Sequence, residues 1–311
     1  AKVEKMFIAP AYTFDNVKGK FPIGFKIWNT QIKEVFSSAS TDIYNEKGDF
    51  IGTKGLYSIG ISYYINKCIS SFKVNDGFIG FLAGTNGNDF QQNGIVYILN
   101  KKEQMANPRG MWISSLNLIP VSIYYSVRKC LDQTWINDRD QFVVPNSNWS
   151  QDFEFHNNCL CYTIFNTNIQ EKFGLNHWIP FTEQEVNAQN RFESNFMTDF
   201  INGKIKTENE TNLFGVKENQ NEKREFSEEA KSVFDAGREL WKYYHCKPNV
   251  NVNASLYDIR EYFQGRNDKG RMNSKSDDER YMGLIGELRN KLDFLADKIK
   301  PKIYEYEFLK E

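Results

Sequence analysis

The most pointed chemistry in the chain lies in a run near its carboxy end, Gln264-Gly265-Arg266-Asn267-Asp268-Lys269-Gly270-Arg271-Met272-Asn273-Ser274-Lys275. Arg266, Lys269, Arg271 and Lys275 are balanced by the single acid Asp268, a local charge of about plus three in a chain whose net charge is -1. Glycine lets a backbone approach a phosphate closely, arginine clasps two of its oxygens, and a helix expected to open at Ser276 adds free amides. The combination reads as contact with the phosphate backbone of DNA or RNA; the alternative is a solvated basic loop. Lys18 and Lys20, two apart in an early polar loop, form a second candidate pair for such contact. Arg139 is a third candidate, unless the carboxylates flanking it in Asp138-Arg139-Asp140 hold it within the chain.

Other chemistries fit less well. A metal-dependent nuclease wants an Asp and an acidic-x-Lys pair holding magnesium beside the scissile phosphate. The acidic-x-Lys of this chain, Glu229-Ala230-Lys231, falls in the first turn of an amphipathic helix. Zinc is suggested by His156, Cys159 and Cys161, but on a helix Cys161 turns away from the other two, and no second pair follows at finger spacing. His177 and His245 have no nucleophile or acid at a readable distance in the sequence. Neither a catalytic residue nor a metal site is expected.

At 311 residues, 40% hydrophobic and 15% aromatic, the chain is long and apolar enough for one large or two ordinary domains. With 39 basic and 40 acidic residues it lacks the global positive charge of many DNA-binding domains, so any nucleic-acid contact must be local. Five irregularly spaced cysteines argue against a disulfide framework. No apolar run approaches the roughly 20 residues of a spanning helix, and no leader-like start is present, so a cytoplasmic protein without membrane contact is expected.

The elements that would position these residues make an α+β fold, β-rich at the amino end and mostly helical after it. The expected parts are a β-rich region over 1–118, a helical region with a polar loop over 119–203, a linker or loop over 204–226 too polar to pack, and a helical region over 227–311. Met6 to Ala9 and Phe21 to Trp28 read as an edge hairpin, with Pro22 at a strand start. Ile43-Tyr44 and Phe50-Ile51 flank a glycine-containing turn, and Phe78 to Leu82 and Ile95 to Leu99 are further strands of a mixed or antiparallel sheet. One helix is expected near 57–72, and another ends near Cys130, where Arg128 and Lys129 complement its dipole. Further helices are expected over Asp152 to Phe165, from a Thr182–Glu185 capping box to Gly203, from Ser227, from Ser255 to Gly265, and from a Ser276–Glu279 capping box until Pro301 stops it. In the last, Tyr281, Ile285, Leu288, Leu292, Leu295 and Ile299 form one stripe. It is expected to face a helix of the same chain, with dimerisation as the alternative.

Several segments resemble a known family. Phe7-Ile8-Ala9-Pro10, Asp15-Asn16-Val17-Lys18-Gly19-Lys20-Phe21-Pro22-Ile23-Gly24-Phe25 and Ile27-Trp28 are similar to the segment closing the catalytic domain of bacterial adenine-specific DNA methyltransferases of restriction-modification systems. Thr134 to Phe142, Asn176 to Phe181, Ala236 to Trp241 and Phe263 to Asn267 resemble segments from the carboxy-terminal regions of those enzymes. The family's catalytic signature, Asn/Asp-Pro-Pro-Tyr/Phe, holds the amino group of a flipped adenine. This chain has no Pro-Pro pair, and its Asn107-Pro108 reads as a turn. For S-adenosylmethionine, Gly80 to Gly87 is the nearest approach to a glycine-rich loop, but a strand rather than a helix is expected next. The resemblance therefore implies the carboxy-terminal DNA-recognition and structural portion of such an enzyme, inactive alone and binding no cofactor itself. Its expected partners are double-stranded DNA and a catalytic methyltransferase half, on the same or another chain, that brings S-adenosylmethionine. Starting at Ala1 rather than Met, the chain is read as part of a longer protein or as a separate module. Two rival readings are a protein-interaction module docking through the carboxy-terminal helix and a divergent metal-dependent nuclease.

Overall fold

Alternating apolar residues build a sheet before any helix appears. In the computed structural model, which describes residues 1–58, 60, 64–71, 74–205 and 222–310, β1 (Lys2–Pro10) and β2 (Pro22–Asn29) pair antiparallel, with Phe7 opposite Phe25. β3 (Ser38–Tyr44) lies parallel to β1 and antiparallel to β4 (Phe50–Tyr57). Gly48, at φ +84°, turns that corner as expected. The order β2-β1-β3-β4 leaves β2 and β4 as edges. Strand alternation sorts the faces. Met6, Ile8, Thr41 and Ile43 are buried on one. Lys54, paired with Thr41 on that face, reaches the Asp140 carboxylate and, at 3.0 Å, the carbonyl oxygen of Ile136, so this face lies against the rest of the molecule.

The single sheet expected over 1–118 is in fact two. β5 (Gly80–Ala83) pairs antiparallel with β6 (Tyr97–Leu99) and β7 (Gly110–Ile113) in a second sheet of order β6-β5-β7. Every residue of β5 is buried, so it needs cover on both faces and joins the helices instead of extending the first sheet. Gly110 permits the close approach, because a Cβ there would sit 1.9 Å from the Leu82 carbonyl oxygen. The helix expected over 57–72 shrinks to α1 (Ile65–Ile69), with Tyr57 in β4; positions 59, 61–63, 72 and 73 lie outside the described residues.

α2 (Leu118–Lys129) and α3 (Phe153–Ile164) come where expected, the latter capped by Asp152, which accepts from the Phe155 amide at 2.9 Å. Thr182 and Glu185 do bond each other, yet no long helix follows. Asn187 at φ +54° ends the turn, and α4 covers only Phe196–Ile201. α5 (Glu228–His245) and α6 (Leu256–Gln264) are capped by Ser227 and Ser255 as expected. α7 (Glu279–Glu305) departs twice. Its cap is Asp278, accepting from Tyr281 at 2.9 Å, rather than Ser276. It also continues through Pro301, because burial of Ile303, with Tyr306 and Phe308 beyond, offsets the ladder bond that proline removes.

Tyr281, Ile285, Leu288, Leu295 and Ile299 are buried, and α7 packs on α5, α3 and α2, so the stripe works within the chain. Docking a partner through it would require α7 to leave the bundle. One core runs from Ile65 to Leu309, combining β5–β7 with side chains of all seven named helices. Among the described residues, none of β1–β4 belongs to it. Of the polar stretch 204–226, positions 206–221 lie outside the described residues. Its end does pack, contrary to expectation: the Arg224 guanidinium lies 4.4 Å from the Phe200 ring and Phe226 meets Phe234 at 4.9 Å. Among the described residues no helix is long and apolar enough to cross a membrane.

Candidate nucleic-acid interface

The basic run folds into a tight hairpin. Gly265, at φ +63°, ends α6, and the chain turns back so that Arg266 bridges Met272. The Asn267 amide donates to the Arg271 carbonyl at 2.9 Å, and the Asn267 side-chain oxygen accepts from the Lys269 and Arg271 amides at 3.0 Å each. Gln264, buried at the base, donates to the Asn273 carbonyl and accepts from the Tyr281 hydroxyl at 2.7 Å. The hairpin is thereby anchored to α7.

Within it the four expected phosphate contacts divide. Arg266 is engaged by its own chain: Glu261 at 2.7 and 2.9 Å, the Gly270 carbonyl at 2.7 Å and the Tyr257 hydroxyl at 3.1 Å. The same guanidinium holds the Glu261 carboxyl below its usual range. These contacts make Arg266 a brace of its own hairpin. Lys269, Arg271 and Lys275 are exposed and form no ion pair among the described residues. The amides expected from Ser276 are not offered either, since α7 starts later and Asp278 occupies its first turn.

Arg139 pairs with Asp138 at 3.3 Å and donates to the Gln91 side-chain oxygen at 2.7 Å, with its side chain still 53% exposed. Asp140 turns the other way, to Lys54. The two carboxylates therefore serve different cations, and among the described residues no group of three His, Cys, Asp or Glu could hold a metal ion. Lys18 and Lys20 lie exposed between β1 and β2, also without an ion pair among the described residues. His156 is buried, its Nε2 2.9 Å from the Trp149 carbonyl oxygen, and Cys159 and Cys161 are buried beside it in α3, their thiols pushed well up by that burial. His177 pairs with the Ser194 hydroxyl at 2.8 Å and His245 with the Val186 carbonyl at 3.0 Å; burial lowers both imidazole pKa values.

Two features had no clear signal in the sequence. Arg128 and Lys129, expected to complement a helix end, are drawn inward. Arg128 is fully buried; it donates to the carbonyls of Gly87 at 2.7 Å and Asp89 at 3.0 Å, to the Tyr124 hydroxyl at 2.9 Å and to the Asn93 side chain. Lys129 donates to the Asn93 carbonyl at 2.6 Å, and burial lowers its pKa to about 8. Together they fix the loop from Gly84 to Ile95, which carries the Gln91 that steadies Arg139.

The second feature is the outward face of the first sheet. Phe14, Phe25, Phe7, Tyr44 and Phe50 form a continuous row across β2, β1, β3 and β4, with successive centroids 6.0, 4.7, 6.0 and 5.9 Å apart. Phe50 is 57% exposed and Phe25 37%. Phe7 and Phe25 stack within 13°, so their faces cover one another and mostly edges remain. Such a surface suits an apolar protein cover better than nucleobases, which need open ring faces. Alternation placed Phe25 with Ile23 and Ile27, but alternation alone does not say which face of a sheet meets solvent. Comparison with protein-family models, curated proteins and solved structures finds no match to this chain.

Proposed function

We propose that the chain is the DNA-recognition and structural portion of an adenine-specific DNA methyltransferase of a restriction-modification system. The observation that carries the reading is a coincidence of place. A segment that resembles that family, Phe7 to Trp28, lies at one edge of the first sheet, where among the described residues β2 pairs with β1 alone and the ring-bearing face is exposed. A catalytic half, on the same or another chain, would add its strands at β2, lay an apolar surface over the rings, and bring S-adenosylmethionine and the flipped-base pocket. This chain would then hold the duplex, with Lys269, Arg271 and Lys275 on phosphates and Arg139 and the Lys18–Lys20 pair as further contacts.

The test is a duplex-binding titration over a range of salt. The triple variant Lys269→Ala, Arg271→Ala, Lys275→Ala should bind all sequences more weakly, by roughly a hundredfold at 0.15 M salt, with a salt slope reduced by about three. Arg266→Ala should act indirectly, through a loosened hairpin, and change the slope by less than one contact. No duplex binding by the parent at low salt would replace this reading with a protein-docking module.

A further inference from the structure

We infer that Arg139 reads the edge of a guanine base rather than a phosphate. The inference rests on the DNA-binding reading and adds to it a residue that sets sequence specificity. The guanidinium is held from two directions. Asp138, 3% exposed, brings Oδ2 to 3.3 Å from its Nε, an ion pair that falls short of hydrogen-bond alignment, and the Gln91 side-chain oxygen accepts from Nη1 at 2.7 Å. Nη2 has no hydrogen-bond acceptor among the described residues, and the side chain is still 53% exposed. One part of the planar fork is thus fixed by the protein and another faces solvent.

The frame that carries this fork is tied together before any ligand arrives. The Gln91 amide donates to the Asp138 carbonyl at 3.3 Å, Asp89 bridges Gln141, and the Gln141 side chain donates to the Arg139 carbonyl at 3.1 Å. Gln133 donates to the other oxygen of Asp138 at 2.5 Å, while Arg128 holds the Asp89 carbonyl from the core side at 3.0 Å. A base edge demands such fixing, because its acceptors must be met in one plane, whereas a phosphate oxygen can be met by a side chain that swings. Charge points the same way. The buried Asp138 carboxylate offsets the pull of Arg139 on an anion but leaves its N–H donors outward. Lys269, Arg271 and Lys275 are the opposite case, exposed and without an ion pair among the described residues. Guanine follows from the donor count: arginine only donates, guanine shows two acceptors, N7 and O6, in the major groove, and adenine sets a donor beside its acceptor.

The experiment selects bound duplexes from a random-sequence pool with the full chain, Arg139→Ala and Arg139→Lys, and then measures affinity across salt for the enriched duplex. The parent should enrich a guanine at one position. Replacing that guanine by 7-deazaguanine, which lacks the N7 acceptor, should weaken parent binding roughly tenfold and leave Arg139→Ala unaffected. Arg139→Lys keeps a cation beside Asp138 and so keeps the fold, but without the fork it should lose the preference at that position alone, with a salt slope within one contact of the parent's. Arg139→Ala weakening all sequences equally, with a slope lower by about one, would make Arg139 a phosphate contact. Variants that enrich the parent's sequence with the parent's affinity would put it outside the interface, and a parent without sequence preference would leave it nothing to read. Each of these three results overturns the inference and leaves the DNA-binding reading standing. A parent that binds no duplex at low salt overturns that reading and this one with it.

Discussion

Arg128→Met should cost about 3–5 kcal/mol of stability, read as a fall in the urea midpoint with little change in slope. The side chain it replaces lies between Tyr124 and Phe142, with ring centroids 5.6 and 5.2 Å from the guanidinium carbon. Methionine keeps most of that apolar packing but leaves the carbonyls of Gly87 and Asp89 and the Asn93 side chain without their donor. Each buried acceptor so abandoned costs about 1–3 kcal/mol. Arg128→Lys should recover little, because one ammonium cannot reach acceptors arranged around a planar fork. The loss should spread to the Gly84–Ile95 loop and so free Arg139 from Gln91. A midpoint matching the parent's would mean that water replaces the guanidinium without cost, and that the loop is held by other contacts.

Phe25→Ser with Phe50→Ser should do the opposite: barely disturb the fold and abolish assembly. Both rings stand on the outward face, where surface substitutions normally change stability by about 0.5 kcal/mol, with about 1 kcal/mol more for the lost ring pairs. As anchors of an interface, aromatic side chains contribute about 2 kcal/mol or more each, so on the proposed function losing two should weaken docking of the proposed catalytic half about a thousandfold. The measurement is recovery of adenine methylation when that half is supplied separately, alongside the thermal midpoint of the variant alone. Unimpaired recovery would place the interface elsewhere.

How far the sequence announces this structure depends on the range of the contact concerned. Signals that act within one element are readable: the Pro22 strand start, the Gly48 turn, the Ser227 and Ser255 caps, and the α7 stripe all come where local chemistry puts them. Signals that compete over a few residues are less so. Thr182 and Glu185 make the bonds of a capping box, but Asn187 takes a left-handed conformation and no helix grows. At the start of α7 Ser276 and Asp278 both offer an oxygen, and the carboxylate takes the role. Least readable are roles assigned from a distance. Arg128 meets acceptors 35 to 41 residues earlier. Arg266 looks available until the end of α6 brings Glu261 beside it. The division of one β-rich region into two sheets follows from which strands are buried on both faces, a fact of assembly that spacing does not carry.

The separation of the first sheet from the main core has a thermodynamic side. Its inward face meets the body through Lys54, which reaches Asp140 and the Ile136 carbonyl, while among the described residues its apolar side chains join no cluster with those of the helices. Substitutions in one body and in the other share few neighbours, so their effects on stability should simply add, with coupling concentrated where Lys54 crosses over. Each body is thereby free to change its sequence without retuning the other.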